Sequence, residues 1–263
     1  MRRIWKHLRI GLNWITGGWR LFRRNPWTLG GMGVSAAMVI GVISPIPLVG
    51  ALLIALLAPL LLASAYLAID AVYKQKMALP ASLRQPALQQ SPRQLVEVLR
   101  QEAHLLPIMV ACIYSLVVVL LINLLVRLLL GEVWVANWSN LNLASHLGVL
   151  AAALLIFTLY VLLAASLIYA LPLAFLRDEP LIPSLVRSLK ASRHFVVALL
   201  VLLGLLLTPF LLGAIVSVLS LWASYLVTFA LDAVILPVVA TSLYCSYRNI
   251  FGVKEVLNAP GNR

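Results

Sequence analysis

The chain has 263 residues, of which 63% are hydrophobic and 11% charged, and a formal net charge of +12. A mean hydropathy of +1.02 excludes an ordinary water-soluble globular domain. The surplus of Lys and Arg matches what nucleic-acid binding needs, but its placement accounts for it without nucleic acid.

In chain order, residues 1–24 predict an amphipathic helix. Trp5, Leu8, Leu12, Ile15, Trp19 and Phe22 recur at spacings of three and four, with Arg9, Arg20, Arg23 and Arg24 flanking the stripe. A Trp/Leu face with basic flanks is the pattern of a helix lying in the headgroup plane. The same pattern serves a helix packed on the protein's own surface, and both readings stand at this point. Arg2 and Arg3 imitate the start of a signal peptide, but no unbroken apolar run follows and no cleavage is expected. Asn25-Pro26 then turns the chain, with Pro26 suited to a helix start.

Six membrane-length apolar stretches follow, at about Thr28–Ser44, Leu48–Tyr73, Leu105–Leu130, Leu147–Leu176, Phe195–Leu219 and Trp222–Tyr247. Their continuous Leu, Val and Ala runs predict helices, since a barrel strand would alternate polar and apolar residues. Nineteen of the twenty Lys and Arg fall in residues 1–24, 74–100, 177–193 and 248–263, and only Arg127 breaks the pattern. The connections Ser44–Val49, Gly131–His146 and Ser217–Trp222 hold none. Under the positive-inside rule this alternation places both termini in the cytoplasm. Trp134, Trp138 and Trp222 fall on the opposite side, where interfacial aromatics belong. Residues 77–92 read as a cytoplasmic linker.

Internal matches divide the single membrane domain, residues 1–263, into units of about 1–75, 90–176 and 182–250. Trp19-Arg20 with Arg24 aligns with Leu99-Arg100 with His104, and with Leu189-Lys190 with His194. Pro59, Ser64 and Tyr66 match Pro237, Ser242 and Tyr244 at a constant offset. Each unit is one interfacial helix followed by two spans, beginning and ending on one side. Such units are parallel repeats related by an axis along the membrane normal, a candidate three-fold arrangement.

Ionisable groups inside a bilayer carry a functional hypothesis by default. Asp232 lies about 15 Å deep in the sixth span, and Arg127 about 6 Å deep in the third, by helical rise. Asn123 sits one turn from Arg127 on the same face. These three residues line a polar path in one reading; in the other they fix helix register, with Arg127 snorkelling to the interface. Thr208-Pro209, Pro172 and Pro237 add kinks that shape either a cavity or ordinary packing. Gly33, Ala37 and Gly41 form a close-packing ridge, for another span of this chain or for another subunit. Cys112 and Cys245 read as packing residues, and His104 and His194 as polar residues at helix entries. No metal-ligand spacing, nucleophile elbow, phosphate loop or dinucleotide fingerprint occurs, so no enzyme activity and no cofactor are expected.

The stretch Phe175-Leu176-Arg177-Asp178-Glu179-Pro180 through Ser184-Leu185-Val186-Arg187-Ser188-Leu189-Lys190 resembles the segment after the fourth span in a poorly characterised group of bacterial inner-membrane proteins. That group is related to the membrane domain of glycerophosphoryl diester phosphodiesterases. The opening Gly17-Gly18-Trp19-Arg20-Leu21-Phe22-Arg23-Arg24-Asn25-Pro26 is similar to the start of its six-helix branch. The likeness in layout covers most of the chain and implies a bacterial inner-membrane protein. It supplies no catalytic residues, because the family's phosphodiesterase chemistry belongs to a separate soluble domain.

The expectation is an all-α polytopic membrane protein with six spans and about three cytoplasmic interfacial helices. Its leading role is a non-enzymatic accessory or scaffold component that engages anionic lipid, a membrane-protein partner or a second copy through its basic face. Arg9, Arg20, Arg23, Arg24, Arg100 and Lys190 are the candidate lipid contacts. The alternative is a carrier or channel for a lipid or small solute, using polar residues of spans three, five and six.

Overall fold

The computed structural model describes residues 2–44, 46, 49–78, 102–130, 143–177, 179–218 and 220–252. Among them are eight helices: α1 (Arg2–Phe22), α2 (Pro26–Ile43), α3 (Val49–Ala78), α4 (Glu102–Leu130), α5 (Leu143–Leu176), α6 (Leu181–His194), α7 (Val196–Ser217) and α8 (Leu221–Phe251). All but α1 and α6 are long and apolar enough to cross a membrane. The chain is therefore an all-α polytopic membrane protein, as its hydropathy predicts. The linker expected at 77–92 starts later, since α3 runs on to Ala78; its remainder, most of the tryptophan loop expected at Gly131–His146, and the amphipathic segment expected before α4 lie outside the described residues.

Local chemistry sets the helix ends. Asn25 Oδ1 accepts from the Thr28 N–H at 3.3 Å, and Pro26 takes the first helical position, where a missing N–H leaves nothing unpaired. Ser220 caps α8 in the same way, accepting from Ala223 N–H at 3.4 Å. Phe195, expected to open the fifth span, instead separates α6 from α7. The outer surface confirms the surroundings. Phe210, Ile215 and Leu226 are each about two-thirds exposed, an arrangement suited to hydrocarbon rather than water.

The second spans of the three sequence units, α3, α5 and α8, pack against one another at the centre, and the first spans α2 and α4 pack around them. Each central helix carries one fully buried tyrosine: Tyr66, Tyr169 and Tyr244. Their hydroxyls close a cycle. Tyr66 donates to the Ile168 carbonyl at 2.9 Å, Tyr169 shares a hydrogen bond with Ser246 at 3.0 Å, and Tyr244 donates to Asp70 at 2.7 Å. These bonds link α3 to α5, α5 to α8, and α8 to α3. The first has a local cause. Pro172 has no N–H to offer the carbonyl four residues earlier, so Ile168 lacks its intrahelical partner and the Tyr66 hydroxyl replaces it. Tyr66→Phe should therefore lower stability by about 1 kcal/mol, read as a fall in thermal midpoint in detergent. An unchanged midpoint would show that water or another donor already serves Ile168.

The two amphipathic helices occupy equivalent places. The helix α1 of the first unit packs on α8 of the third, and α6 of the third packs on α5 of the second. In α6 the buried stripe is Ser184, Ser188 and Ser192. Ser188 Oγ donates to the Ala165 carbonyl at 2.7 Å and accepts from the Tyr169 N–H at 3.0 Å. Ala165 and Tyr169 form one rung of the α5 ladder, so the hydroxyl is inserted into it. In α1 the equivalent contact uses glycine: the Thr241 hydroxyl of α8 lies 3.1 Å from the Gly18 carbonyl.

Candidate functional site

The site is built at the basic end of the bundle, where α1, α3 and α8 meet. The helix α1 buries Gly11, Trp14, Gly18 and Leu21 in one stripe, distinct from the stripe its large apolar residues predict. Trp5, Leu12 and Trp19 remain exposed beside it, 72%, 54% and 42% respectively. The face that packs on the protein is thus the small-residue stripe, while the tryptophan and leucine stripe points largely outward. A Cβ on Gly18 would collide with the Ser242 hydroxyl and backbone, so glycine lets α1 lie directly on α8. That seating brings Arg20 and Arg24 beside the end of α8.

From α8 come Tyr244, Arg248 and Asn249, and from α3 come Asp70 and Tyr73. Tyr244 and Arg248 are one helical turn apart and share a face. Asp70 is buried behind Tyr244 and holds its hydroxyl, while the Arg248 guanidinium lies 4.0 Å above the Tyr73 ring centroid. The Arg248 charge also interacts with Asp70 and Tyr244. A cavity of about 500 Å³ results, lined by Arg20, Arg24, Tyr73, Tyr244, Arg248 and Asn249 among others. Three arginines line it, and among the described residues no carboxylate does; the nearby Asp70 is buried. Guanidinium groups present planar forks of donors matched to phosphate oxygens, and the Tyr73 hydroxyl and Asn249 amide add neutral donors. The arrangement suits an anion.

A second cavity of about 310 Å³ lies between α2, α3 and α8 and is almost wholly apolar. Leu29, Met32 and Ile40 of α2 face Ile54, Leu61 and Ile69 of α3 across it. The hydroxyls of Ser35 and Ser64 at its wall donate to carbonyls of their own helices, at 2.9 and 2.8 Å.

No family model, curated protein or solved structure matches this chain.

Of the sequence candidates, Arg20 and Arg24 line the basic cavity. Arg9, Arg23 and Lys190 are exposed and stand away from its lining, and Arg100 lies outside the described residues. The intramembrane candidates are not brought together. The Asn123 amide donates to the Val119 carbonyl of its own helix at 2.8 Å, and Arg127 is exposed in the last turn of α4. Asp232 is half-buried on α8, whose packing partners are α1, α2, α3, α5 and α7, whereas α4 packs mainly on α3 and α5. The Thr208 hydroxyl likewise bonds its own helix, at Gly204, 3.0 Å away. Of the glycine ridge on α2, Gly33 and Ala37 are buried, with Gly33 against α8, while Gly41 faces open space. His194 stacks edge-on against Phe195 at 4.9 Å, with His7 6.0 Å from it, an interfacial aromatic cluster.

Asp70, Tyr73, Tyr244 and Arg248 are absent from the sequence candidates, yet a signal for two of them was present. The offset relating Tyr66 to Tyr244, carried four residues further, relates Asp70 to Arg248. The same offset thus relates opposite charges on two neighbouring central helices.

Proposed function

We propose that this protein is a non-enzymatic inner-membrane component of bacterial type, a member of the family it resembles, which holds an anionic lipid headgroup at its basic end. The charge asymmetry along the chain supports placing that end, with both termini, in the cytoplasm. One observation carries the binding reading. Arg20 of α1, Arg24 in the turn that follows it and Arg248 of α8, the last far from the others in sequence, converge on one cavity with Tyr73 and Asn249 beside them. Anionic headgroups of the cytoplasmic leaflet are the abundant phosphates at this depth. The carrier alternative draws no comparable support, since Asn123 and Thr208 spend their donors within their own helices.

The test is lipid retention through gentle detergent extraction, comparing phosphatidylglycerol with phosphatidylcholine. Changing Arg20, Arg24 and Arg248 together to Gln should lower phosphatidylglycerol retention at least tenfold, with phosphatidylcholine unaffected. Added salt should erode the wild-type preference. Displacement of the lipid by inorganic phosphate at equal concentration would identify a free anion as the ligand instead. Equal retention by the triple variant, or a stoichiometric protein in place of lipid, would overturn the reading.

A further inference from the structure

We infer that the apolar cavity between α2, α3 and α8 is an acyl-chain slot. The basic cavity and this slot together hold one anionic glycerophospholipid, headgroup above and one chain below. The inference rests on the proposed headgroup reading and adds a second, separate part to the site.

Continuity is the first argument. The face of α3 that lines the apolar cavity through Leu62, Ala65 and Ile69 reaches the basic cavity one turn later at Tyr73. The face of α8 does the same, passing from Pro237 and Ala240 to Tyr244 and Arg248. A turn is about 5.4 Å, close to the step between a headgroup phosphate and the first chain carbons.

Length is the second. The lining runs from Leu29 to Ile40 on α2 and from Ile54 to Ile69 on α3. At 1.5 Å per residue these are about 16 and 22 Å, from about half to about three-quarters of a hydrocarbon core roughly 30 Å thick. The slot is therefore long enough to take a chain through one leaflet, starting from the basic side.

Chemistry is the third. The wall is aliphatic, and its Ser35 and Ser64 hydroxyls are already satisfied within their helices, so nothing in it calls for a polar guest. Ser35 and Ala58 at its rim are exposed, which gives a chain lateral entry from the bilayer. A volume of about 310 Å³ is at the lower end of ligand pockets and suits a single slender chain.

The experiment uses the full-length protein in mild detergent with phosphatidylglycerol of dioctanoyl and dipalmitoyl type. Ala36→Phe and Ala58→Phe, which thrust a ring into the slot from either wall, should weaken the long-chain lipid about tenfold and leave the short-chain lipid nearly unchanged. The triple arginine variant should weaken both. Loss with the arginine variant but not with either phenylalanine variant would overturn the slot while leaving the headgroup reading intact. Equal retention of both lipids by the arginine variant would overturn the headgroup reading and the slot with it. A shift from dimer to monomer in the phenylalanine variants, with lipid unchanged, would assign the slot to a second copy and also overturn the inference. In wild-type protein, independently of variant folding, phosphatidylglycerol carrying a photoactivatable group mid-chain should label residues 29–40, 54–69 and 236–240 above all others. Even labelling across the spans would refute the slot.

Discussion

Asp70→Asn should tighten retention of phosphatidylglycerol about tenfold while lowering the thermal midpoint of the unliganded protein. The two effects have one origin. Asp70 accepts from the Tyr244 hydroxyl and places a negative charge behind a cavity lined by three arginines. Removing that charge raises the potential felt by an anion. A unit charge at roughly 10 Å contributes about 1–2 kcal/mol at an effective dielectric near 20, or about tenfold in affinity. The same change weakens a charge-assisted hydrogen bond between α8 and α3, at a cost of about 1 kcal/mol. Asp70→Ala, which leaves the buried Tyr244 hydroxyl with no acceptor there, should cost about 3 kcal/mol. Lipid retention by native mass spectrometry and midpoints by differential scanning fluorimetry read both effects. A weaker lipid hold in Asp70→Asn would mean that the carboxylate helps to place the arginines rather than restraining their field.

Gly33→Leu should cost about 3 kcal/mol and shift α2 away from α8, whereas Gly41→Leu on the same helix should change stability by less than about 0.5 kcal/mol. The contrast comes from what each added Cβ would meet. At Gly33 it collides with the Ala233 carbonyl and the Pro237 ring; at Gly41 nothing lies within 4 Å. Pro237 leaves the Ala233 carbonyl without its intrahelical donor, and only a residue without a side chain brings another backbone this close. Midpoints of the two variants decide the matter. Equal losses would indicate that Gly41 is covered by a partner absent from the isolated chain.

Class and span number were legible because each rests on a long, local apolar run. The packing of α1 was not, for a physical reason. Its buried stripe is anchored by Gly11 and Gly18, which add almost nothing to a hydrophobicity pattern, so the eye goes to Trp5, Leu12 and Trp19, which the fold leaves exposed. The serine stripe of α6 is hidden in the same way, since Ser184, Ser188 and Ser192 count as polar while packing as small residues. The candidate site was half legible. Arg20 and Arg24 stand out as a basic flank, but Asp70 looks like any polar residue near a span end until Tyr244, 174 residues later, is placed against it. Asn123 and Asp232 drew attention for their depth, and depth alone does not tell which face of a helix meets which neighbour.

The seat of α1 has a consequence for how the protein is made. Its Gly18 carbonyl meets the Thr241 hydroxyl, 223 residues further along the chain. At translation rates of about 5–20 residues per second, α1 leaves the ribosome roughly ten to forty-five seconds before the helix it docks on exists. On the lipid-binding reading proposed above, the exposed tryptophans and arginines of α1 would give it a resting place on the lipid surface during that interval. The same outward face that survives in the finished protein would then serve as a mooring while the last span is still being synthesised.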